Sequence, residues 1–67
     1  METKLIKNNI VYEIVSAHED NMLTIQTTMH NGTMKVLFEC RRIEWIKDFD
    51  AVQLRLKRIL AGTLVKI

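Results

Sequence analysis

Apolar and polar side chains alternate most regularly between residues 22 and 41, on either side of Asn31-Gly32. That dipeptide favours a two-residue type I′ turn, because both positions tolerate positive φ. The turn fixes the register of its flanking strands, Met22 to His30 and Thr33 to Arg41. Met29 then faces Met34, Thr27 faces Val36, Ile25 faces Phe38 and Leu23 faces Cys40, all on one side of the sheet. The other side pairs Thr28 with Lys35, Gln26 with Leu37 and Thr24 with Glu39. The first face is apolar and the second mostly polar, so turn chemistry and side-chain pattern agree on a hairpin.

A second hairpin precedes it. Ile10 to His18 is rich in β-formers, and Glu19-Asp20-Asn21 is turn chemistry. With Asp20-Asn21 as a two-residue loop, His18 lies opposite Leu23, Tyr12 and Ile14 join the apolar face, and Glu13 turns outward with Val11, Val15 and Ala17. A three-residue loop reverses all of these. The shorter loop is preferred because it keeps Glu13 out of the core. Residues 42–47 read as a bent continuation of the third strand or a short connecting strand, from the alternation of Ile43 and Trp45. Ile43 and Ile46 also fit one helical turn.

Residues 51–61 read as a helix. Asp50 is the expected cap, with Gln53 completing a capping box and Phe49 and Leu54 forming a staple. Val52, Leu56, Ile59 and Leu60 make its apolar stripe. Gly62 marks its end, and Thr63 to Ile67 reads as a short final strand. The assembled expectation is one α+β domain over residues 1–67. It has a three- to four-stranded antiparallel meander, one helix on the apolar face, and a closing C-terminal strand. The alternative is a small five-stranded SH3-like barrel, with residues 52–60 as a strand.

Size sharpens this picture. A chain of 67 residues buries only roughly 60% of its unfolded surface, so its core is marginal. One cysteine excludes an internal disulfide, and two histidines without ligand spacing argue against a structural metal. Close packing or self-association remains, and a homo-oligomer is expected. No apolar leader follows Met1, and no run approaches the roughly 20 residues that span a bilayer. With a lone thiol, this points to a cytoplasmic protein without membrane partners.

Candidate chemistry is sparse. The expected register sets His18 and Cys40 in one row, about 10 Å apart, too far for a thiolate–imidazole pair. Glu19 and Asp20 sit in a turn and Asp48 and Asp50 at the helix start, where they have structural reasons to be, and no pair of carboxylates is forced into the facing arrangement that acid–base catalysis needs. Two glycines cannot make a phosphate loop. The expectation is no enzyme, cofactor, metal or small-molecule substrate. Val11, Val15 and Leu37 on the outer sheet face, with Leu54 off the helical stripe, are the candidate partner-binding residues. They suit a small regulatory or binding module of bacterial or phage type, acting through homo-oligomerisation or a protein partner. The alternative is a nucleic-acid-binding regulator using Arg41, Arg42, Lys47, Arg55, Lys57 and Arg58. In that reading Trp45 stacks on a base, and Arg55 and Arg58 contact phosphate. A formal net charge of +2 permits it without demanding it.

Overall fold

The computed structural model describes residues 2–29, 32 and 34–65, with side chains as far as residue 62. The chain runs β1 (Lys4–Lys7), β2 (Ile10–Ala17), β3 (Met22–Thr28), β4 (Lys35–Arg41), α1 (Arg42–Lys47) and α2 (Phe49–Val65). The strands form one open antiparallel sheet in the order β1-β2-β3-β4. Helical residues Val52 and Leu56 share a buried cluster with Tyr12, Leu23, Ile25, Phe38 and Cys40 of the sheet. This is the expected α+β meander, with the helices on its apolar face.

The β3–β4 ladder has the register that alternation dictates, from Leu23 opposite Cys40 to Thr28 opposite Lys35. Gly32 adopts φ +72° and donates its N–H to the Met29 carbonyl at 2.8 Å. His30, Asn31 and Thr33, and with them the expected two-residue turn, lie outside the described residues. Thr27, the polar member of the inner row, is fully buried and gives its hydroxyl to the Val36 carbonyl at 3.3 Å.

The β2–β3 connection corrects the expected loop. The His18 N–H bonds the Met22 carbonyl at 2.8 Å, so three residues, Glu19 to Asn21, form the loop, and Asn21 takes positive φ. Ala17, not His18, faces Leu23. The predicted reversal of faces is then undone within β2. The register slips between Ile14 and Ser16, leaving Val15 as a bulge. Beyond it Tyr12 and Ile14 point inward and Glu13 outward, as burial of an apolar face requires. β1 adds an unanticipated hairpin. Asn8 and Asn9 take φ of 52° and 64°, the signature of a type I′ turn, and Lys7 pairs with Ile10.

The C-terminal half departs further. Residues 42–47 are helical, not a strand. α2 begins at Phe49, so Asp50 lies in its first turn instead of capping it, and the Asp48 carbonyl accepts the Ala51 N–H at 3.1 Å. Phe49 does not staple to exposed Leu54. It meets Tyr12 and Trp45 edge-on, at centroid distances of 4.9 and 5.2 Å, while the Lys7 ammonium lies 5.1 Å over its ring. The helix passes through Gly62 to Val65, replacing the expected final strand over residues 63–65. Lys66 and Ile67 lie outside the described residues. Because residues 52–60 are helical and the sheet is open, the barrel alternative fails. Among the described residues no helix is long and apolar enough to cross a membrane.

Candidate protein-binding site

α1 follows β4 without a linker, and this junction builds the site. Arg41, extended at φ −79° and ψ 147°, starts the helix. Its N–H donates to Glu44 Oε1 at 2.7 Å, satisfying one of the donors a helix start leaves open. Arg55 of α2 grips the same carboxylate with both Nη atoms, each at 3.0 Å, and Nη1 also reaches the Glu39 carbonyl at 3.0 Å. Glu44 is only 5% exposed. The Arg55 guanidinium first, and the Arg41 N–H second, hold its carboxyl below the usual glutamate range despite burial. Beside it, buried Trp45 donates Nε1–H to the Glu2 carbonyl at 2.9 Å.

Turning Glu44 and Trp45 inward has a geometric consequence. Residues three apart share a side of the helix, so Ile43 and Ile46 face outward, 49% and 54% exposed. A six-residue helix thus buries its glutamate and exposes both its isoleucines, the reverse of what transfer energies favour.

The isoleucines form one wall of a groove of about 480 Å³, completed by Met22, Arg41, Arg42 and the loop residues Asp20 and Asn21. The Arg42 N–H bonds the Asn21 carbonyl at 2.7 Å, fastening the β2–β3 loop to the helix start. The groove therefore has an apolar floor, two guanidinium-bearing residues and one carboxylate at its border. Ile46 also borders a smaller hollow of about 240 Å³ beside Glu2, Leu5 and Trp45.

The residues singled out from sequence are dispersed. Val11 pairs with Ile6, itself 69% exposed, on the outer face near one edge of the sheet. Leu37, 63% exposed, lies on β4 at the other edge, beyond Glu13 and Gln26. Val15 is exposed at the bulge, and Leu54 is exposed on α2 in the other layer. They make no single patch. Of the basic set, Lys47, Lys57 and Arg58 are exposed, and Arg41 and Arg42 border the groove. Trp45 is core, with its ring against Phe49 and its Nε1–H on the Glu2 carbonyl. Arg55 is bonded to Glu44 through both Nη atoms, whereas Arg58 is exposed. His18 lies opposite to expectation: its Nε2 is 2.7 Å from Thr24 Oγ1 on the outer face, whereas Cys40 is buried in the core. Burial first, and neighbouring Glu44 second, push the Cys40 thiol up to about 11.

Ile43, Ile46 and Met22 were not legible as site residues. A carboxylate three residues after Arg41, with an arginine on the following helix to receive it, was the available signal that this turn would invert. Comparison with protein-family models, curated proteins and solved structures gives no significant match for the chain.

Proposed function

We propose that this chain is a small non-enzymatic binding module that holds a protein partner in the groove beside α1. The supporting observation is the inverted helix, with two isoleucines displayed outward while a glutamate is buried beneath them. The bidentate Arg55–Glu44 pair and the Trp45–Glu2 bond fix α1 from both sides. Its apolar anchors are thus pre-organised, which lowers the ordering cost of binding. The Arg41 side chain, 67% exposed, borders the groove, so a peptide segment combining an apolar side chain with a carboxylate is a complementary occupant. The apolar group rests on Met22, Ile43 and Ile46, and the carboxylate meets the Arg41 guanidinium. A cytoplasmic setting suits a lone, buried thiol. A nucleic-acid role has less support, since the Trp45 ring is buried and the Arg55 guanidinium is paired with Glu44.

Selection from a randomised peptide library displayed on phage tests this reading. Enriched peptides should pair an apolar residue with Asp or Glu, and their affinity should fall at least tenfold for Ile46→Asp, with the circular-dichroism spectrum retained. No enrichment, or enriched peptides that bind the folded Ile46→Asp variant equally well, would refute it.

A further inference from the structure

A second surface lies at the opposite side of β4 from β3. The sheet is open, so β1 and β4 each have an edge without a strand neighbour among the described residues. The two edges differ. β1 reads Lys-Leu-Ile-Lys, with a lysine at each end, a common device against edge-to-edge pairing. β4 begins Lys35-Val36-Leu37-Phe38-Glu39, with opposite charges placed symmetrically about an exposed leucine.

Hydrogen-bond parity shows which backbone groups that edge presents. The Met29 N–H donates to the Met34 carbonyl at 3.2 Å, so even-numbered residues of β4 bond toward β3 and odd-numbered ones point away. Two bonds agree: the Arg41 N–H reaches Glu44, and the Glu39 carbonyl receives Arg55. The helices thereby cover the Arg41 end of the edge. The N–H and C=O groups of Lys35 and Leu37 remain directed outward, and the Glu39 carbonyl keeps a second lone pair.

We propose that this edge pairs antiparallel with β4 of a second copy of the chain, about a two-fold axis at Leu37. In that register Leu37 meets Leu37 of the second copy and exchanges both backbone bonds with it. Lys35 falls opposite Glu39 of the second copy, and Glu39 opposite its Lys35, placing two ion pairs on the outer face. Val36 meets Phe38 of the second copy on the inner face, so the apolar layer runs on across the junction. The interface is isologous and closes at two chains, giving a four-stranded sheet edge the covering that β1 achieves with charge. This surface is separate from the groove, and either can exist without the other.

Charge reversal tests it by sedimentation equilibrium. The unaltered chain should be a dimer at high concentration. Lys35→Glu or Glu39→Lys alone places like charges opposite one another twice, weakening the dimer roughly tenfold or more. The double exchange Lys35→Glu/Glu39→Lys should restore it. An equimolar mixture of the two single variants should form a heterodimer tighter than either homodimer. Both substitutions are on exposed side chains, and circular dichroism checks that the fold is kept. A monomer at millimolar concentration, or a dimer indifferent to all four combinations, overturns the proposal. Dimerisation lost in the single variants but not recovered in the exchange or the mixture overturns this register as well.

Discussion

Arg55→Met removes the clamp that holds α1 in its inverted orientation while preserving helix propensity and most of the side-chain volume. Glu44 then retains the Arg41 N–H and an Arg41 Nε at 3.7 Å, but loses two charge-assisted bonds. Breaking a fully buried pair costs about 3–5 kcal/mol. The Arg55 side chain is 40% exposed, and its removal admits water to the carboxylate, so about 2–3 kcal/mol is the appropriate figure. A chain of this size has a total stability of roughly 3–10 kcal/mol. The melting temperature should therefore fall by roughly 10–20 °C, followed by circular dichroism at pH 7. The pH dependence supplies a second signature. Because the folded Glu44 carboxyl is held below its usual value of about 4.5, its stabilisation is full above that value and is lost as pH falls through the lowered one. The gap between the two proteins should narrow in acid. A drop below about 3 °C at pH 7, or a gap that persists undiminished in acid, would refute the claim that this pair fixes the helix.

Two further outcomes follow from the core and the bulge. Iodoacetamide at pH 8 should modify Cys40 only as fast as the protein opens, because the thiol is buried and its ionisation is pushed up to about 11. Prompt labelling of the native protein would contradict its place in the core, while full labelling in denaturant serves as the control. Deleting Val15 should be tolerated, with stability changed by less than about 1 kcal/mol. The deletion lets Ile14 and Ser16 follow one another opposite Ile25 and Thr24 in a regular ladder. A collapse of the thermal transition would show that the bulge is needed for more than correcting the loop.

The sheet was legible where two independent constraints met. Around residues 22–41, turn chemistry and alternation both fix one register, and the structure has it. In β2 they conflict: the loop takes three residues because Asn21 accepts positive φ, and burial of Tyr12 and Ile14 is recovered by inserting Val15. Alternation alone cannot show where such an insertion falls, since it records faces and not spacing. β1 was missed because four residues carry little periodicity, although Asn8-Asn9 is suitable turn chemistry. The stripe Val52, Leu56, Ile59 and Leu60 was readable because a helix on a sheet must bury one side. Gly62 and the apolar tail misled because helix termini depend on local balances of a few tenths of a kcal/mol. The groove was hidden for a different reason. Apolar residues are expected inside, and only the arginine arriving from α2 makes burial of Glu44 affordable.

The most direct test of the binding claim is its location, read from methyl NMR. An apolar–acidic peptide selected on the protein is titrated against isoleucine- and methionine-labelled chain. Progressive shifts are expected at Ile43, Ile46 and Met22, with Ile6 on the far sheet face unmoved. Saturable binding that shifts Ile6 and leaves the three groove methyls in place would contradict it.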